Sequence, residues 1–225
     1  MDFRAPFSDP AAFASAEPFP HAIVDDWFDP VDLDDALVWF PPPSDSRWHW
    51  FDAPHEVRKA QYDDEKAYEV PGCGRLLRVL TSAPFVGALS ELTGIEALIP
   101  DLVGGGLHLT LAGGFLGVHT DSSTDFSNRG LYRRLNVLLF LNEGWKPGDG
   151  GELVLERAGT PTGLRVDPLH NRLVIFRTAH DTLHGHPNPW ERPVVPRRSL
   201  AAYYYTEDPP PDYVGDRTTT FVEGR

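Results

Sequence analysis

The chain has 225 residues, 41% hydrophobic and 24% charged, and its 20 Lys and Arg against 33 Asp and Glu leave a formal net charge of −13. This is an ordinary globular composition with enough chain for a large core, and the acidic balance argues against a nucleic-acid partner, which would need a basic face. Cys73 is the only cysteine, so an internal disulfide and a thiolate zinc cluster are excluded. The start, MDFRAPFSDPAAF, lacks the basic end and apolar run of an export signal, and no segment approaches membrane-spanning length. The expectation is a cytoplasmic protein with no membrane partner.

Residues 1 to about 100 are mixed and partly helical. FDPVDLDDALVWF (28–40) offers Asp29 as N-cap and Pro30 at the first helical position, with Val31, Leu37 and Val38 as a buried stripe. The proline run FPPPS (40–44) follows, and then RWHWF (47–51), whose aromatics are core or rim, with Trp48 or Trp50 placed to close over a substrate. SAPFVGALSELTG (82–94) repeats the helix logic: Ser82 caps, Phe85, Val86, Leu89 and Leu92 share a face, and Gly94 terminates.

After residue 100 the pattern becomes a series of short apolar runs: LHLTL (107–111), FLGVH (115–119), LNVLLFL (135–141), ELVLE (152–156), RLVIF (172–176) and SLAAYYYT (199–206). Each has strand length, with Gly, Pro or Asn in most gaps, so the series predicts an antiparallel sandwich or barrel carrying the N-terminal helices. DPPPD (208–212) is expected to end the folded core. The whole reads as one domain over 1–225, with a support region of about 1–100 and a β core of about 104–206.

GVHTDSSTD (117–125) holds the first candidate site. In a strand, residues i and i+2 share a face, so His119 and Asp121 aim an imidazole and a carboxylate at one point, as a divalent metal requires. With nine His and 33 acidic residues such pairs also arise by chance, and a surface turn is the plain alternative. RLVIFRTAHDTLHGHPNPW supplies His180, His184 and His186 after a buried-looking strand. Asp181 stands where a helical zinc motif needs Glu, and Gly185 and Pro187 oppose a helix. Two histidines and a carboxylate on one face, with open positions opposite, is the donor set of non-haem iron(II) oxygenases.

The ordered run HTD … RRLNVLLFLNEGW … GDGGELVLE … RLVIFRTAHDTLHGHP … RRSLAAYYYT resembles the Fe(II)/2-oxoglutarate-dependent dioxygenases, specifically their prolyl-4-hydroxylase-like branch, over roughly residues 104–206; PFPHAIVDDWFDP (18–30) looks like that branch's approach to its first helix. The resemblance implies a double-stranded β-helix, a jelly-roll of cupin type, with Fe(II) as cofactor and 2-oxoglutarate and O2 as cosubstrates. It places the distal metal ligand at His184, by its distance to Pro187, with His186 as competitor and His180 in a loop. Its R-x-S pattern falls on Arg197 and Ser199 as the contacts for the far carboxylate of 2-oxoglutarate. Alternation turns Arg198 to the opposite face, though a one-residue slip would exchange the two arginines.

Asn136 shares a face with Leu138 and Phe140 and reads either as a 2-oxoglutarate or substrate contact or as a capping residue. His108 and Thr110 could line the pocket, although a lone His on an apolar strand is more often a core residue. GGEL (150–153) serves a turn and a close chain approach, and SSTDFSNRGLY (122–132) is the expected substrate lid. The implied reaction is hydroxylation of an unactivated C–H bond, releasing succinate and CO2. Related halogenases replace the carboxylate that Asp121 provides, so hydroxylation is favoured over halogenation. The partner is a prolyl or peptidyl residue, an amino acid or another small molecule. A non-oxidative cupin-like metalloenzyme and a metal- or 2-oxoglutarate-binding sensor without turnover are the alternatives.

Overall fold

The computed structural model describes residues 9–127, 129–160 and 162–223. The opening stretch read for an export signal lies, over residues 1–8, outside the described residues. Among the described residues no helix is long and apolar enough to cross a membrane.

Among the described residues five helices fall before residue 94: α1 (Pro10–Ser15), α2 (Pro30–Val38), α3 (Asp64–Ala67), α4 (Cys73–Leu80) and α5 (Ala83–Thr93). Asp29 caps α2 by accepting from the Val31 amide, Ser82 caps α5 by accepting from Phe85, and Gly94 closes α5 at φ +68°. The buried side of α5 holds Phe85, Ala88, Leu89 and Leu92. That of α2 differs from expectation. Leu33 and Ala36 are buried, whereas Val31 and Val38 are 73% and 75% exposed. The stripe runs through Leu33, Ala36 and Leu37, at helical spacing toward Phe40, and leaves both valines on the solvent side.

The strands are β1 (His21–Val24), β2 (Trp48–Ala53), β3 (Glu56–Tyr62), β4 (Ile99–Thr120), β5 (Tyr132–Phe140), β6 (Leu153–Arg157), β7 (Leu164–Val166), β8 (Arg172–Arg177), β9 (Thr182–His186), β10 (Arg197–Thr206) and β11 (Thr220–Phe221). They form one curled sheet in the order β1-β8-β5-β10-β4-β9-β6-β7, with the β2–β3 hairpin and β11 also joined to β4. This is the jelly-roll that the strand series and the resemblance implied. The runs 107–111 and 115–119 belong to one 22-residue strand. The first part of β4 pairs with β10, and its end pairs with β9, so a single strand serves both walls. Between the two parts, the Gly113 amide donates to Trp190 O and the Trp190 amide to Gly114 O, pinning the bend.

Alternation sorts the large wall. Leu107, Leu109, Leu135, Val137, Leu139, Leu200, Ala202 and Tyr204 join Phe85, Leu89, Leu77 and Leu80 in the main core. The residues between them, including His108, Thr110, Asn136, Leu138, Ser199, Ala201 and Tyr203, face a cavity of about 540 Å³. The helices therefore stiffen the outer face of the sheet whose inner face carries the polar side chains. The run DPPPD does not end the fold: beyond it, β11 returns to pair with Thr120 and His119.

Candidate active site

His119 is at the end of β4, Asp121 follows it, and His184 on β9 is the direct cross-strand partner of His119. All three are buried and line the cavity. One donor atom from each lies within 4.8 Å of the others; His119 Nε2 is 3.8 Å and His184 Nε2 3.7 Å from the Asp121 oxygens. His119 Nδ1 is 2.9 Å from Gly117 O. A carbonyl only accepts, so Nδ1 carries the proton and the Nε2 lone pair faces the cluster. Burial pushes the His119 pKa below its usual value and that of His184 down to about 3. Burial alone would raise the Asp121 carboxyl, but Arg133, His184, His119 and Asn136 together hold it well below the usual carboxylate range. Two neutral imidazoles and one carboxylate at neutral pH form a donor set ready for a divalent cation without proton release.

Asn136 lines the cavity beside the cluster. Its Nδ2 donates to Asp121 Oδ2 at 2.8 Å, and its Oδ1 accepts from Arg133 Nε at 2.9 Å. It orients the Asp121 carboxylate and links it to a buried guanidinium, which lies 3.6 Å from the Tyr203 ring centroid and 3.5 Å from Asp121 Oδ1.

The inner face of the large wall carries two polar rungs. Arg197 pairs with Thr110, which pairs with Lys59; Ser199 pairs with His108, which pairs with Gln61. All six line the cavity. Burial pushes Arg197 down to about 9, so it stays charged at neutral pH. Its Nε donates to Gly151 O at 2.9 Å, leaving its terminal nitrogens for a ligand. Gly151 sits at φ +72°, and a Cβ there would be 2.7 Å from the Trp190 ring and 3.0 Å from Arg197 Cδ; the GGEL turn thus permits the close approach that seats the arginine. Arg198 faces away, over the Phe40 ring, and its amide donates to Asn142 Oδ1. His186 is buried in the cavity wall with Nδ1 unpartnered among the described residues, and it lies outside the three-residue cluster. His180 is exposed in the turn before β9.

The cavity walls depart from expectation. Trp48 is in the helical core and Trp50 is 42% exposed; neither lines the cavity, whereas Phe51 does. Among the described residues of the 122–132 loop only Phe126 reaches it. That loop is tied to the body: Asp125 accepts from the Arg129 and Leu131 amides, and Arg129 pairs with Asp101. The second cover is the C-terminal segment, which supplies Thr219 and Phe221. Phe221 stacks on His55 at 4.8 Å, and Arg217 Nε donates to Asp121 O. Lys59, Glu56, Arg133 and Phe221 were not singled out from sequence.

Four imidazoles of the cavity lining, His108, His119, His184 and His186, have pKa values lowered chiefly by desolvation. A histidine with a folded pKa below its unfolded value takes its proton preferentially in the unfolded chain. Its contribution is complete above about pH 6.5 and is lost as pH falls toward the folded value. The metal-free protein should therefore lose stability between pH 7 and pH 5, by up to about 1.4 kcal/mol per pH unit for each such group, and its melting temperature should fall with it. A flat profile over that window, measured calorimetrically, would show that these rings are not held neutral.

Residues 105–205 match the family model of the 2OG-Fe(II) oxygenase superfamily. The clustered N, N and O donors beside a buried arginine fit Fe(II) with 2-oxoglutarate and O2. Solved structures share the fold. A Pseudomonas putida prolyl-4-hydroxylase is 21% identical, with a TM-score of 0.63 over 92% of this chain and 100% of its own. A Trichoplax adhaerens prolyl hydroxylase in complex with a hypoxia inducible factor peptide fragment is 16% identical, with a TM-score of 0.59 over 91% and 89%. HygX from Streptomyces hygroscopicus, with nickel, 2-oxoglutarate and hygromycin B bound, is 13% identical, with a TM-score of 0.56 over 83% and 82%. No curated protein matches the chain.

Proposed function

We propose that the protein is an Fe(II)- and 2-oxoglutarate-dependent hydroxylase, acting as one domain, in which His119, Asp121 and His184 hold iron and Arg197 with Ser199 binds the far carboxylate of 2-oxoglutarate. The observation that carries this reading is the joint placement of a neutral-His, ionised-Asp cluster and a buried, charged arginine in one cavity. Bound iron with 2-oxoglutarate supplies the oxygen chemistry: one O2 oxidises the keto acid to succinate and CO2 and a substrate C–H to C–OH.

The chain's own residues do the rest. Asn136 and Arg133 hold the Asp121 carboxylate in one orientation. Gly117 O fixes the His119 tautomer. Arg197 offers a planar fork that matches a carboxylate bidentately, in a site dry enough to make the contact strong. Two neutral ligands and one anion leave a net +1 at a divalent ion, which favours a dianionic cosubstrate. Phe126, Phe221 and Tyr203 exclude water and position the reacting bond. Asp121 supplies the carboxylate that related halogenases replace, which favours hydroxylation over halogenation.

Arg197 with Ser199, which match the R-x-S pattern, argue against a non-oxidative metalloenzyme. For the substrate, the similar structures with a peptide fragment and with hygromycin B bound support a prolyl or peptidyl residue, an amino acid or another small molecule, because function lives in the site rather than the fold. The test is a panel of prolyl peptides, free amino acids and small amines and sugars, read as succinate formed and oxygen consumed. The expected result is Fe(II)-dependent succinate above the uncoupled background, matched one to one by oxygen uptake. Binding of 2-oxoglutarate with neither succinate nor oxygen uptake would replace the hydroxylase with a sensor.

A further inference from the structure

A regular β3 would place Glu56 and Lys59, three residues apart, on opposite faces. It does not, because the strand bulges between Val57 and Lys59, with Arg58 at φ +49°, and a bulge re-aims the side chains on either side of it. Both Glu56 and Lys59 then face the cavity. Lys59 Nζ is 3.1 Å from Glu56 Oε1 and 4.6 Å from the Phe51 ring centroid, and the residue is only 9% exposed. Lys59 and Arg197 flank Thr110 on the same inner face. Burial lowers the pKa of both, and Arg197 lowers that of Lys59 further.

This end of the cavity thus gathers two desolvated cations. Within the lining Glu56 is the one carboxylate beside them, and Glu152 acts on Arg197 from outside it. His108 Nε2 and His186 Nδ1, both buried in the same lining, have no hydrogen-bond partner among the described residues. Like charges brought together out of water are costly unless an anion joins them.

We propose that Lys59 is a second cationic contact for the far carboxylate of 2-oxoglutarate, gripping it from the side of Thr110 opposite Arg197. This rests on the hydroxylase reading above and adds to it a residue on the hairpin rather than on the jelly-roll strands. Two cations from different strands fix where the carboxylate lies, so the pair also measures the length of the keto acid and favours a five-carbon diacid over shorter 2-oxo acids.

The test is calorimetric binding to the full Fe(II)-loaded chain without oxygen. Two probes are compared: 2-oxoglutarate, and 2-oxobutyrate, which keeps the keto acid end and lacks the far carboxylate. Lys59→Met should weaken 2-oxoglutarate by about tenfold or more, the loss expected for one charge-assisted hydrogen bond, and leave 2-oxobutyrate and iron content unchanged. Lys59→Arg should restore most of the affinity. Lys59→Gln, which keeps a polar stem, should behave as Lys59→Met and serves if the methionine variant does not fold. Unchanged 2-oxoglutarate affinity in a folded, iron-loaded variant overturns the proposal and leaves the hydroxylase reading standing. Equal loss of both probes assigns Lys59 a structural role and also overturns it. A wild-type chain that takes up iron but not 2-oxoglutarate brings down the hydroxylase reading itself.

Discussion

His184→Ala should remove iron binding and 2-oxoglutarate turnover, while His186→Ala should keep its iron. On the proposed ligand set the difference comes from register. His184 lies directly across from His119, its Nε2 3.7 Å from Asp121 Oδ2, whereas His186 lies across from Leu116, one step further along β9. Loss of an outer contact to a metal ligand typically costs about 10–100-fold in affinity, so loss of the ligand itself should exceed roughly 100-fold. Metal content after desalting, with succinate formation on the same samples, separates the two variants. Iron retained by His184→Ala and lost by His186→Ala would move the ligand along the strand and require β9 to be re-registered against β4.

The second large effect is expected at Arg197. Truncating one partner of a desolvated charge pair costs about 3–5 kcal/mol, so Arg197→Ala should weaken 2-oxoglutarate by roughly 10²–10³-fold. Arg198→Ala should change it little, because that side chain faces the helical layer over Phe40 and is half-buried there; its cost is a modest loss of stability. Titrating both variants with 2-oxoglutarate under anaerobic Fe(II), following the absorbance band of the complex, reads the affinities. A normal titration for Arg197→Ala would contradict the assigned anchor.

How much of this was legible from the residues alone depends on where strict periodicity holds. The capped helices 30–38 and 83–93, the β series after residue 100 and the faces of β10 follow from caps and two-residue alternation. Arg197 falls inward and Arg198 outward because β10 is regular from Arg197 to Ala201. The misses fall where a bulge breaks that period. At the start of β5 the pairing steps from Tyr204–Leu135 to Tyr205–Arg133 and skips Arg134. Arg133 therefore faces the cavity with Asn136, although alternation from Asn136 would have chosen Arg134. The bulge at Arg58 hides Lys59 in the same way. A bulge is set by what the neighbouring strands and loops accommodate, and Arg133 sits in a plain RR pair with no glycine to announce it. The tail was missed for a different reason: DPPPD looks like an ending, and only the open edge of β4 beside His119 explains why Thr220–Phe221 returns to it. Helix α2 shows the simplest error, since Val31 and Val38 satisfy helical spacing but belong to the face that the core does not cover.

The central claim is that His119, Asp121 and His184 together hold the metal at the floor of this cavity. Crystals grown with Fe(II) in the absence of oxygen, measured on both sides of the iron absorption edge, test it most directly. The account predicts a single anomalous peak per chain within bonding distance of His119 Nε2, an Asp121 carboxylate oxygen and His184 Nε2, at roughly 2.0–2.2 Å as for first-row metal–nitrogen and metal–oxygen bonds. A peak bound through His186, or no peak at the cluster in a fully loaded crystal, would contradict it.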